Sequence, residues 1–136
     1  TGEPITLPTS GRDLMLAVDI SGSMGTEDLQ LGGQLVNRLT VVKNVVSQFI
    51  AVREGDRVGL ILFVTNADLQ APLTFALATV NRFLTEAPVG VAGGKTAIGD
   101  AIGLAVKRLR RRPEGDRVLI LLTDGEVLEP FLYSNF

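Results

Sequence analysis

The strongest constraint on the fold is the run Leu14-Met15-Leu16-Ala17-Val18, closed by Asp19 and flanked by turn-forming residues. So short an unbroken apolar run suits a strand covered on both faces better than a helix. Val58 to Val64 and Val118 to Leu122 repeat the pattern. Strands buried on both sides belong to parallel sheets lying between helical layers.

The segments between these runs have helical spacing. Leu35, Leu39, Val42, Val46 and Phe49 predict a helix that stops near Arg53. Thr74 is placed to cap a second helix reaching Glu86, with Val80, Phe83 and Leu84 inward. A third runs from Thr96 to Arg111, with Ile98, Ile102, Ala105, Val106 and Leu109 as its stripe. Lys107, Arg108, Arg110, Arg111 and Arg112 crowd its end, where cations suit the helix dipole, and Pro113 stops it. Leu69 to Leu73 reads as a short edge strand, because Pro72 cannot donate to a ladder. Residues 20–34 and 88–95 are rich in glycine and read as loops.

This order predicts an α/β three-layer sandwich around a mostly parallel sheet, at 136 residues a single domain. Residues 1–12 are expected to be a lead-in, 13–125 the domain, and 126–136 an apolar tail without an assignment. Glu-Gly-Asp-Arg-Val occurs at 54–58 and again at 114–118. Each copy joins a helix to a buried strand, so the echo predicts two similar turns.

Composition narrows the chemistry. The chain has no cysteine and no histidine. That removes disulfides, thiol nucleophiles, histidine bases and the usual zinc ligands. Any bound metal must be held by oxygen, which favours hard cations. A net charge of −2 gives no reason to expect nucleic acid or an anionic membrane. The apolar runs are far shorter than the roughly 20 residues of a membrane span, and this stretch reads as a soluble piece of something longer.

Asp19-Ile20-Ser21-Gly22-Ser23 sets three oxygen side chains in alternation at a strand end. Alternation can turn all three toward one point, and Gly22 and Gly25 let the backbone fold closely around it. One carboxylate and two hydroxyls make half an octahedral shell of the kind Mg²⁺ accepts. Thr96 follows a second glycine-rich loop and Asp124 ends another apolar run. Both stand where they can complete the shell, directly or through water. In open α/β sheets, ligands bind beyond the carboxyl ends of the strands, where Asp19 and Asp124 lie. Taken alone, Asp-x-Ser-x-Ser is more readily a turn or helix cap; the second strand-end aspartate and the loop threonine favour a site.

This set resembles the metal-ion-dependent adhesion site of the von Willebrand factor A family. The resemblance rests on Asp19, Ser21 and Ser23 in Leu-Ala-Val-Asp-Ile-Ser-Gly-Ser-Met, on Thr96 in Gly-Gly-Lys-Thr-Ala-Ile-Gly-Asp-Ala, and on Asp124 in Leu-Leu-Thr-Asp-Gly. The wording from Asp13 to Met24 and from Thr96 to Arg111 is similar to the bacterial BatA/BatB-type branch. The resemblance implies a Rossmann-like fold and a site for Mg²⁺, Mn²⁺ or Ca²⁺ whose open position takes an Asp or Glu from a protein partner. Gly22, Met24, Gly94 and Lys95 would border that partner. It also implies a non-enzymatic module of a bacterial membrane-associated complex, in periplasm or cytoplasm, with a MoxR-type AAA+ ATPase as associate.

The family continues past the Asp124 motif with further helices and strands, which residues 126–136 do not match, so the domain reads as truncated there. The outer edge of strand 118–122 is then covered by the tail, or pairs with a second chain, or is covered by residues beyond this sequence.

Two enzymatic alternatives follow from the same residues. Gly90 to Thr96 resembles a phosphate-binding loop, but the required glycine falls on Val89. A phosphatase using Asp19 as nucleophile would need a second carboxyl as acid–base where Ser21 stands. Asp100, Glu27 and Asp28 read as solvated charges near the site.

Overall fold

The computed structural model describes residues 11–90, 96–111, 116–123, 126–127 and 131–133; side chains are described through 123, apart from that of Thr96. Nearly all of the expected lead-in lies outside these residues. The chain builds β1 (Asp13–Asp19), a 3₁₀ turn (Gly22–Gly25), β2 (Leu29–Leu31), β3 (Gln34–Val36), α1 (Arg38–Ala51), β4 (Arg57–Phe63) and β5 (Ala67–Thr74). Then come α2 (Leu77–Glu86), α3 (Thr96–Arg110), β6 (Arg117–Thr123), β7 (Glu126–Val127) and β8 (Phe131–Tyr133).

The main sheet runs β5-β4-β1-β6-β7, with β8 also on β6. β1 is its centre, parallel to β4 on one side and to β6 on the other. β5 is an antiparallel edge strand on β4, longer than the 69–73 expected. The alternation of strand side chains divides the core in two. Leu14, Leu16 and Val18 face α1 and α2 with Leu60 and Leu62, whereas Met15 and Ala17 face α3 with Ile61 and Phe63. β1 is buried along its whole length, as its unbroken apolar sequence requires.

The outer edge of β6 is paired. β7 and β8 lie antiparallel along it, at Leu122–Thr123 and at Arg117–Leu119. Of the three readings of that edge, coverage by the tail is the one observed.

Four helical expectations need correction. Leu35 belongs to a β2–β3 hairpin and is 62% exposed, and α1 begins only at Arg38. Gly32 and Gly33 both have positive φ, as a tight two-residue hairpin turn requires, so the expected 20–34 loop contains a hairpin. Asn37 caps α1, its side chain accepting from the Thr40 amide at 2.7 Å. Thr74 ends β5 instead of capping α2; its hydroxyl accepts from the Ala76 amide two residues on. Phe83 is 40% exposed, leaving Val80 and Leu84 as the buried face of α2. On α3 the buried stripe is Ala97, Ala101, Ala105 and Leu109, with Ile98 and Ile102 at its margin. Small side chains let this helix lie close on the sheet, a choice that hydrophobicity alone does not rank.

The two Glu-Gly-Asp-Arg-Val copies bring their arginines to one place. Register sets Arg57 and Arg117 on either side of Asp13, and Arg57 Nε donates to Asp13 Oδ1 at 2.8 Å. Asp56 Oδ1 accepts from the Arg12 amide, and Asp116 lies 3.7 Å from Arg12 Nε. The sequence echo is thus a pair of charged clamps on the amino-terminal end of β1.

Candidate metal centre

The opposite end of the same strands carries a different chemistry. Asp19 is the last residue of β1 and only 7% exposed. Its Oδ1 accepts the Ser21 amide at 2.8 Å and its Oδ2 accepts the Thr123 hydroxyl at 2.5 Å. Among the described residues no lysine or arginine pairs with it. Buried carboxylates are ordinarily matched by a cation, so this one is short of positive charge.

The two serines lie beside it. Ser21 precedes the 3₁₀ turn and Ser23 sits inside it, their hydroxyl oxygens 3.2 Å apart. Ser21 is half-buried and Ser23 exposed, so the cluster opens to solvent. The Ser21 and Ser23 hydroxyls are thus neighbours, and the Asp19 carboxylate is tied to the Ser21 amide. The set is all oxygen and fits a hard divalent cation. Among the described residues no three carboxylates gather, so hydroxyls must supply much of any shell.

The loops around the cluster are stitched together. Ile20 donates to the carbonyl of Phe63 at the end of β4 and accepts from the Gly90 amide. A Cβ on Gly90 would come within 2.9 Å of Val64 and 3.0 Å of the Ile20 carbonyl, so only glycine permits this approach. Gly25 packs on Val89. Lys43 of α1 donates to the carbonyls of Thr85 and Ala87, which fixes the end of α2 and the start of the same loop. Burial lowers the Lys43 ammonium below the ordinary lysine value. The loop that leads to Thr96 is thereby held against the loop that carries the serines.

Thr96 opens α3, at this same end of the sheet, but its side chain lies outside the description, as do Asp124, Gly94 and Lys95. Gly22 is exposed in the 3₁₀ turn. Met24 is a correction: it is fully buried in the core beneath that turn and cannot offer a surface to a partner. Asp28 pairs with Arg38 through two hydrogen bonds, and Asp100 and Glu27 are exposed. The residue that sequence reading missed is Thr123. Its only signal was its place immediately before Asp124, on the strand beside β1.

A comparison with known proteins agrees with this geometry. The von Willebrand factor type A domain model matches residues 14–126. The chain belongs to that family. Its fold is shared with a membrane-spanning protein from Vibrio fischeri of known structure, 48% identical, with a TM-score of 0.69 over 76% of this chain and 52% of that one. BatB from Bacteroides thetaiotaomicron is 32% identical, with a TM-score of 0.73 over 85% of this chain and 55% of that one. A curated protein of Borreliella burgdorferi is 31% identical across 88% of this chain and 34% of its own length. The VWA domain described here thus spans between a third and about half of these relatives. At the level of fold alone, it matches proximal thread matrix protein 1 of the mussel byssus, solved with zinc in its adhesion motif (21% identity, TM-score 0.67, 87% of this chain and 30% of that one).

The enzymatic alternatives fare poorly. A phosphate-binding loop follows a strand, whereas α2 enters the loop before Thr96. Ser21 stands where a phosphatase would need its acid–base carboxyl. VWA domains commonly mediate protein–protein contacts, and no helix among the described residues is long and apolar enough to cross a membrane.

Proposed function

We propose that this VWA domain holds one divalent cation through Asp19, Ser21 and Ser23, completed by Thr96 and Asp124, and uses it to grip an Asp or Glu of a protein partner. Mg²⁺ is the expected occupant, with Mn²⁺ and Ca²⁺ as substitutes. The observation that carries the reading is Asp19, a buried carboxylate bonded to the Ser21 amide and the Thr123 hydroxyl, beside the paired Ser21 and Ser23 hydroxyls, with no cationic partner among the described residues. When bound, the metal supplies a positive charge with an open coordination position.

The chain's own residues do the rest. The Ser21 amide and the Thr123 hydroxyl each engage one oxygen of Asp19, which sets the plane of the carboxylate and leaves its remaining lone pairs for the cation. Because hydroxyls replace carboxylates around the site, little negative charge opposes an incoming partner carboxylate. α1 and α3 both begin at this end of the sheet, and their partial positive ends favour the same anion. No residue in this arrangement is set up as a general acid or base, so binding is the expected activity.

The likeness to membrane-spanning and BatB-type relatives supports a bacterial membrane-associated parent, for which a MoxR-type AAA+ ATPase is a partner to test. A direct test is an NMR titration with N-acetyl-glutamate amide. With Mg²⁺ present, amides of residues 19–25 should shift saturably. Chelation or Asp19→Ala should abolish the response. Binding that needs neither Mg²⁺ nor Asp19, or phosphate-ester turnover that Asp19→Ala removes, would contradict the proposal.

A further inference from the structure

Next to the metal centre is a cavity of about 300 Å³ that the reading above does not use. It lies between the end of α2 and the edge strand β5, and Ile20, the residue after Asp19, forms part of its wall. Its lining mixes apolar Val64, Phe83 and Pro88 with the carboxylates of Asp68, from β5, and Glu86, from α2. Asp68 has no cationic partner among the described residues, and Glu86 has only an exposed pairing with Arg82 one helical turn away. Such exposed i, i+4 pairs are weak and are readily exchanged for a better partner.

We infer that this cavity takes an arginine or lysine side chain from the same partner segment whose carboxylate reaches the metal. The inference rests on the proposed carboxylate grip and adds a second, oppositely charged requirement to the partner. The chemistry follows from the walls. A long basic side chain has an apolar stem and a charged head, matching a cavity lined by both apolar side chains and carboxylates. Phe83, which is 40% exposed, brings an aromatic ring to the lining that a guanidinium could stack on. Asp68 and Glu86 supply acceptors, one from β5 and one from α2. An acidic side chain would be repelled here, and a purely apolar one would leave both carboxylates facing it unpaired. The partner segment is therefore zwitterionic, with its acidic and basic residues a short distance apart.

The test uses N-acetyl-arginine amide and, as its uncharged match in shape, N-acetyl-citrulline amide, titrated into the domain and followed by amide NMR. Arginine should give saturable shifts confined to residues 64–70 and 83–88. Citrulline should bind about tenfold more weakly, the size of a charge-assisted hydrogen bond. The double variant Asp68→Asn/Glu86→Gln, isosteric and at two exposed positions, should abolish the arginine response while its Mg²⁺ titration stays as in wild type. Equal binding of the two probes, or arginine shifts that survive the double variant, would overturn the inference. Repeating the arginine titration with Asp19→Ala separates the two proposals. Arginine shifts that persist there while Mg²⁺ no longer binds show the cavity acting on its own. Their absence from wild type, alongside intact Mg²⁺-dependent glutamate binding, removes the cavity inference and leaves the metal grip standing.

Discussion

The two ends of β1 each bury an aspartate, and the contrast between them separates structure from function. Asp13, at the amino-terminal end, is 4% exposed and sits between Arg57 and Arg117. Asp19, at the carboxyl end, is 7% exposed and has only an amide and hydroxyls around it among the described residues. The first carboxylate has a counter-ion, Arg57, built into the chain. The second is held in place, hydrogen-bonded and left short of charge. A buried acid without a cation among the described residues is a candidate to take one from outside, and the glycine-fitted loops pack closely beside it.

Substitutions should expose this difference. The largest effect on stability is expected from Asp13→Ala, which removes the buried carboxylate that pairs with Arg57 at 2.8 Å. The loss should be about 3 kcal/mol in urea unfolding, with Mg²⁺ affinity unchanged. A comparable loss of metal affinity would mean that the two ends are not independent.

Thr123→Val sharpens the other end. It removes one hydrogen bond to the Asp19 carboxylate while nearly preserving shape. Stability should fall by only about 1 kcal/mol, and calorimetry should find Mg²⁺ binding weakened by about tenfold. Unchanged binding would demote Thr123 to a packing residue.

The smallest effect concerns Asp28, beside the hairpin. Its hydrogen bonds to Arg38 hold the Asp28 carboxyl below the ordinary aspartate value of 3.8. For an acid depressed in this way, the stabilisation is fully present above the unfolded value and fades as pH falls through the folded one. Because the pair is exposed, the effect should be small and screened by salt. NMR titration of Asp28 should give a pKa below 3.8 that returns to the ordinary value in Arg38→Gln.

How much of this was legible in sequence depends on what each feature rests on. The sheet was legible because β1, β4 and β6 are buried on both faces, and unbroken apolar runs record that directly. The closeness of Asp19, Ser21 and Ser23 was legible because they fall within five residues at a strand end, which is local geometry. The hairpin was missed because Leu35 continues the helical spacing of α1 by coincidence, while the Gly32-Gly33 signal was read as loop. Phe83 was misplaced for a similar reason, since helical periodicity cannot tell a core side from a cavity wall. Thr123 and Lys43 act across 104 and 42 residues of sequence, and such contacts leave no local trace. The Glu-Gly-Asp-Arg-Val echo was visible as a repeat, but its role appeared only when register placed both arginines around Asp13.

The most direct test of the central claim is a thermal melt with and without Mg²⁺, Mn²⁺ and Ca²⁺, on wild type, Asp13→Ala and Asp19→Ala. Binding to the native state alone at about 100 times Kd adds about 2.7 kcal/mol, so the wild-type melting temperature should rise by several degrees. Asp13→Ala should melt lower yet show the same rise. Asp19→Ala should melt close to wild type without metal and show no rise. A wild type indifferent to all three cations, or an Asp19→Ala variant that still responds to Mg²⁺, would contradict the assignment of Asp19 as the carboxylate that awaits a metal.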